Sequence, residues 1–258
     1  GTDSPLTLEE QQESGLEQFP MLTGGVVVIF NLGNLKKNNL KLDRATLSGI
    51  FLGEITRWDD EKIKKLNPSL KLPRMKITVV RRADSSGTSF IFTNYLSKIS
   101  PKWAKEVGCG SSVKWPVGIG GQKNPGVCNN VAKIRGSIGY TEYTYAVEAK
   151  LSMAQLENLA GKMVSPGLES FSAGVMRADW ENAPGFYMVL TDSEGENSWP
   201  ITGVTFILIR KDAAPEMRQA MIQYFNWCFT TGASAAKKLN YVPLPENVIQ
   251  IVKGKILK

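Results

Sequence analysis

Met75 to Arg81 reads Met-Lys-Ile-Thr-Val-Val-Arg, a β-branched, apolar run suited to a buried strand. Arg82-Ala83-Asp84-Ser85-Ser86-Gly87-Thr88-Ser89 follows, and from Thr88 to Ser100 the residues Phe90, Ile91, Tyr95, Leu96 and Ile99 fall near helical spacing. A strand that turns into a helix through so short a loop must aim the unpaired amides of the helix N-terminus outward. The loop adds small hydroxyls, one glycine and the Arg82 guanidinium. Amides, helix dipole and Arg82 all favour a tetrahedral oxyanion. The same residues also suit a plain cap, with Ser86 as N-cap and Arg82–Asp84 as a local ion pair. Asp84 bears on the choice, because a carboxylate beside Arg82 would hold the guanidinium as a pre-aimed fork.

Strand-like and helix-like runs alternate along the rest of the chain. Gly24 to Asn31 reads as a strand, Asp43 caps a helix from Arg44 to Leu52, and Asp59 to Leu66 makes a short charged helix. Gly108 to Val127 is glycine-rich and is expected as a long shaped loop, with a helix from Asn129 to Ile134 after it. Ser137 to Tyr140 reads as a strand, Glu142 to Lys150 and Ser165 to Asp179 as helices, and Ser193 to Pro200 as a turn-rich connector. Val204 to Arg210 is expected as a fully buried strand. Pro215 to Phe229 is expected as a helix burying Met217, Met221, Tyr224, Phe225 and Cys228 and ended by Gly232; a last helix starts at Glu246. This alternation predicts an α/β class with a mainly parallel sheet. Ligands of such sheets sit beyond the carboxyl ends of strands, where Ser86 to Thr88 falls.

No histidine occurs in the 258 residues, which excludes Ser-His-Asp and Cys-His catalysis and nearly all histidine-containing zinc sites. The net charge of +7 comes with dispersed lysines (Lys36, Lys37, Lys41, Lys62 to Lys65, Lys71, Lys76 and Lys253 to Lys258), read as solvated faces that mildly favour anionic ligands or an anionic membrane surface. They are not interleaved with stacking aromatics, so no nucleic-acid partner is expected. The longest apolar runs, Val26 to Phe30 and Phe206 to Ile209, are too short to span a bilayer. No charged-then-apolar leader precedes Gly1, and the chain reads as a processed or cut product. Cys109, Cys128 and Cys228 form no Cys-x-x-Cys pair. A Cys109–Cys128 disulfide is one option, small buried hydrophobes the other.

Competing motifs fall away. Gly118-Ile119-Gly120 has Lys123 where a dinucleotide fingerprint needs its third glycine, and no phosphate loop of nucleotide enzymes occurs. The acids Asp59-Asp60-Glu61 and Asp192, Glu194, Glu196 read as helix-start and turn acids rather than metal ligands.

The segment Arg82 to Phe90 resembles the signature of the periplasmic phosphate-binding proteins of high-affinity phosphate ABC transporters. Further landmarks lie in the same order: Gly1 to Leu6, Phe19-Pro20 with Gly24 to Val27, Gly53 to Trp58, Lys114 to Gly118, Gly136 to Tyr143, and Trp199 to Thr202. The resemblance implies a two-lobed type II periplasmic-binding fold with hinge strands near Asn31 and Thr202. Residues 1–31 plus 203–258 would form lobe one, incomplete at its N-terminus, and 32–202 lobe two. It implies inorganic phosphate as ligand, held by Arg82, Ser86, Gly87 and Thr88, with Asp84 orienting Arg82 and Asp3 facing the ligand from the other lobe. It further implies delivery to ABC permease subunits by a monomer, with no cofactor, in the periplasm or outside the cell on a lipid anchor.

Asp3 has its own rationale. A carboxylate beside an anion repels it unless the anion brings a proton, which hydrogen phosphate does and sulfate does not. Relatives carry on the order of 50 further residues before this point, about two β-α units. Their absence is expected to expose an apolar sheet edge and helix faces. Truncation, a segment supplied by a partner, and a variant with altered binding each account for it. Two rival functions follow: a phosphate-ester enzyme, which lacks a nucleophile or metal near the loop, and a non-transporting interaction protein on the same scaffold.

Overall fold

The structure, a computed structural model, describes residues 1–33, 35 and 39–257. Lys36, Lys37 and Lys258 lie outside the described residues. The first helix, α1 (Leu8–Ser14), opens with a capping box between Thr7 and Glu10 and stops at Gly15, whose φ of 65° favours a residue without a side chain. It feeds β1 (Leu16–Phe30), the longest strand. There follow β2 (Lys41–Leu42), α2 (Arg44–Leu52), α3 (Glu61–Leu66), β3 (Thr78–Arg82), α4 (Gly87–Ile99), α5 (Pro101–Glu106), β4 (Ile119–Gly121), α6 (Lys123–Lys133), β5 (Ser137–Glu142) and α7 (Tyr143–Glu148). The chain continues through β6 (Ser152–Met153), β7 (Gln155–Glu157), β8 (Met163–Val164), α8 (Leu168–Met176), β9 (Thr202–Arg210), α9 (Pro215–Phe229), α10 (Ala233–Lys238), β10 (Val242–Pro243) and α11 (Glu246–Lys255).

One strand organises the molecule. From Leu16 to Gly25, β1 pairs antiparallel with β9; from Val26 to Phe30 it pairs antiparallel with β5. β10 and β6 also run against it, and only β3 with β4 and β3 with β5 are parallel in this sheet. The expectation of a mainly parallel sheet is therefore corrected to a mixed one. Strand–helix alternation predicts parallel neighbours only where a crossover helix links them, and every partner of β1 reaches it from elsewhere in the chain.

β1 also joins two hydrophobic cores. The larger surrounds Val26 to Phe30 with Trp58, Tyr95, Trp103, Tyr140 and Trp199. The smaller gathers Phe19 and Met21 with Trp180, Phe206, Phe225, Phe229 and Val252. Between them Gly25 lies against the Phe171 ring, where a Cβ has no room.

Two expectations of burial are corrected. β9 is half-exposed at Thr205, Ile207 and Leu208, because among the described residues its outer edge is held only by a bridge from Thr2 to Phe206. In α9 it is Phe225 and Phe229 that pack down, while Met217 and Tyr224, 60% and 59% exposed, face away with Trp227. An open sheet edge and an apolar helix face are thus both present. The Gly108–Val127 stretch holds β4 and the start of α6, with Pro125 in the helix's first turn where its missing N–H is harmless. Gly232 heads α10 rather than closing α9, which ends at Phe229. All three cysteines are free thiols, Cys109 exposed and Cys128 buried.

Candidate anion-binding site

β3 ends at Arg82 and α4 begins at Gly87, so the loop between them sits at the carboxyl end of a parallel strand. Ser86 is the N-cap: its backbone is extended and its Oγ accepts from the Ser89 amide at 3.3 Å. Ser86 N–H is taken by the Ser111 carbonyl. The next two amides, of Gly87 and Thr88, have no partner among the described residues, as the first turn of a helix leaves them.

Arg82 is only 8% exposed. Its Nε donates to Asp84 Oδ1 at 3.0 Å, its Nη2 to Asp84 Oδ2 at 2.5 Å, and its Nη1 to Asn124 Oδ1 at 3.0 Å. A guanidinium has five N–H donors, so one on each terminal nitrogen is left over. The Arg82 guanidinium holds the Asp84 carboxyl well below the usual carboxylate range, and a hydrogen bond from the Lys123 amide at 2.9 Å adds to this. Lys123 presents that amide from a backbone φ of 55°, a conformation uncommon for a residue with a side chain. Tyr140 braces the loop from beneath: its hydroxyl meets Ser89 Oγ at 2.7 Å and accepts from the Arg82 amide at 3.3 Å. Burial is first in pushing that phenol up to about 12, so it stays a neutral hydrogen-bonding group.

Asp3 arrives from the opposite side. Thr205 on β9 donates to its Oδ1 at 2.8 Å. It packs so closely on Gly87 that a Cβ at that glycine would stand 2.7 Å from the Asp3 Cβ. Burial raises the Asp3 carboxyl above its ordinary range, partly offset by the Thr205 hydroxyl.

Asp3, Ser86 and Gly87 thus share the lining of one open recess of about 490 Å³, together with Ser4, Ser111 and Thr205. Thr88 lines a second, smaller cavity with Asp3. Arg82 lines neither and lies buried beside the loop. The loop and Asp3 are legible in the sequence; their supports Asn124, Lys123, Tyr140 and Thr205 are not. Asn124 and Tyr140 stood inside stretches already singled out, yet nothing local marks them as partners of Arg82.

Residues 1–231 match the model of a PBP superfamily domain. The phosphate-binding protein PstS of Xylella fastidiosa (strain Temecula1) is 47% identical over 256 residues, covering 98% of this chain and 70% of that protein. PstS of Pasteurella multocida is also 47% identical, over 98% of this chain and 74% of that one. Among solved structures, a high affinity periplasmic phosphate-binding protein (PfluDING) bound with phosphate superposes with a TM-score of 0.75 at 21% identity, over all of this chain and 78% of that one. An ABC-type phosphate transport receptor from Vibrio cholerae gives 0.59 at 19% identity, over 95% and 78%. These structural likenesses carry the two-lobed fold; the identities to PstS carry the kinship. The chain belongs to the PBP superfamily and, within it, to the PstS family of phosphate-binding proteins.

Proposed function

We propose that this chain binds inorganic phosphate between two lobes and delivers it to the permease of an ABC transporter for uptake. The single observation that carries the reading is Arg82: buried, fixed by Asp84 and Asn124, with two N–H groups uncommitted, at the end of the strand whose loop leads to two unpartnered helix amides. Donors of these kinds suit a tetrahedral oxyanion. In this reading Arg82 supplies the charged clamp, Gly87 and Thr88 their amides, Ser86 and Thr88 hydroxyls, and Asp3 the acceptor for the ligand's own proton. Residues 1–31 with 203–258 form one lobe and 32–202 the other. The apolar side chains of Val175, Trp180, Phe186 and Leu190 pack in the smaller core, so on closure that stretch would move with the first lobe.

The task is capture and release, with no bond made or broken. The lack of any histidine suits a carrier rather than an enzyme. No helix among the described residues is long and apolar enough to cross a membrane, and a monomer working in the periplasm, or outside the cell on a lipid anchor, with no nucleic-acid partner, fits the membership. Calorimetric titration of phosphate into the chain and its Arg82→Ala variant tests the assignment. Loss of the charge-assisted contacts should weaken binding by about 3 kcal/mol, roughly a hundredfold. An unchanged affinity in a folded variant would reduce Arg82 to a structural residue.

A further inference from the structure

The helix that opens the anion site also spans the seam between the two cores. Phe92, Tyr95 and Leu96 bury α4 in the larger core. Gly87, Ile91, Asn94 and Lys98, spaced by four, three and four residues, form another stripe of the same helix. That stripe meets three alternate positions of the chain running into β9. At Gly87 the neighbour is Asp3, held by the Thr205 hydroxyl. At Ile91 it is Gly203, where a Cβ would stand 2.6 Å from the isoleucine Cδ1. At Asn94 and Lys98 it is Thr191, which bridges to Ile201.

Thr191 is 2% exposed and stands at a junction. Its hydroxyl donates to Asn94 Oδ1, and its carbonyl accepts from Lys98 Nζ at 2.7 Å. Leu190 before it packs in the smaller core with Trp180, whose ring centroid lies 6.3 Å from that of Phe206. Asp192 after it takes Arg44 of α2 through two bonds, of 2.6 and 2.8 Å. Phe206 in turn exchanges backbone hydrogen bonds with Thr2, one residue before Asp3. Both ends of the α4 stripe are therefore tied to the β9 side, the first turn through Asp3 and the last turns through Thr191.

We propose that Thr191 is a positioning residue of the anion site, which by holding Asn94 and Lys98 keeps the α4 amides aligned with Asp3. Asn94 lies about 10 Å along the helix from Gly87, and none of these three residues lines the recess. They act through α4 and not on the ligand. An anion gripped from both cores binds only in the arrangement that brings Asp3 to Gly87. The fraction of molecules in any other arrangement weakens the measured affinity in proportion. The Thr191 contacts favour the competent arrangement before the anion arrives.

This role rests on the phosphate reading, and one set of measurements separates the two. Phosphate affinity by calorimetry and stability by urea unfolding are measured for the wild-type chain, Thr191→Val, Asn94→Ala, the double variant and Thr191→Ser. Each of the first two variants should bind phosphate about fivefold more weakly, the worth of one ordinary hydrogen bond. The double variant should be no weaker than either, because both changes remove the same bond. Thr191→Ser keeps the hydroxyl and should match wild type. Wild-type affinity in a folded Thr191→Val or Asn94→Ala variant overturns the role, however much stability is lost, and so do losses that simply multiply in the double variant. If those variants do not fold, hydrogen exchange on the wild-type chain decides. Phosphate should slow exchange of the Asp192 amide, which donates to the Pro200 carbonyl at 2.7 Å, and unchanged exchange there overturns the role. A wild-type chain that does not bind phosphate overturns the phosphate reading itself, and this role with it.

Discussion

The anion contact proposed for Arg82 depends on something else fixing the guanidinium. Asp84 and Asn124 together occupy three of its donors and leave the other two uncommitted. Asp84→Asn should therefore do two things. Phosphate affinity should drop about tenfold, because the fork is no longer aimed. Stability should fall by about 1–2 kcal/mol at neutral pH, discounted for the partial exposure of Asp84. The folded-state carboxyl is depressed, so its contribution is complete above the ordinary carboxylate range and fades as pH drops through the folded value. In urea titrations the gap between wild type and variant should close below about pH 4; a gap that widens on acidification would contradict the assigned pairing. Arg82, Asp84 and Ser86 were legible in sequence because their partners are neighbours. Asn124 sits 42 residues from Arg82, and Thr205 sits 202 from Asp3, distances at which no local pattern survives.

At the scale of elements, caps were readable and partners were not. Asp43 and Ser86 cap their helices as their side chains dictate, through bonds to amides three residues ahead. The extent of β1 was not, since Leu16 to Thr23 carries glutamate, glutamine and proline and owes its strand form to pairing with β9. The apolar positions of α9 likewise outnumber what one sheet can cover, and periodicity alone does not say which of them pack. The adjacent glycines of β1 provide a matched test. A Cβ at Gly25 collides with the Phe171 ring, whereas one at Gly24 meets Tyr241 at an ordinary 3.6 Å. Gly25→Ala should lose about 1–3 kcal/mol in urea unfolding, and Gly24→Ala much less. Equal losses would mean that the Phe171 contact does not constrain the strand.

For the whole molecule, the order of landmarks from Gly1 to Thr202 carried the family, since no single motif could. What sequence order left hidden was the division of the core. β1 threads both clusters, and the Val175 to Leu190 stretch lends its side chains to the smaller one. Asp3 and the Arg82 loop meet because β1, β9 and the Thr2 bridge bring the N-terminal segment across to α4. In the proposed function this meeting makes a receptor for a protonated tetrahedral anion. Separate calorimetric titrations of phosphate and sulfate into the chain at about pH 7.5 test it most directly, where hydrogen phosphate carries a proton and sulfate does not. Saturable phosphate binding is expected, with sulfate affinity at least about a hundredfold weaker; equal affinities, or no phosphate binding at all, would rule that receptor out.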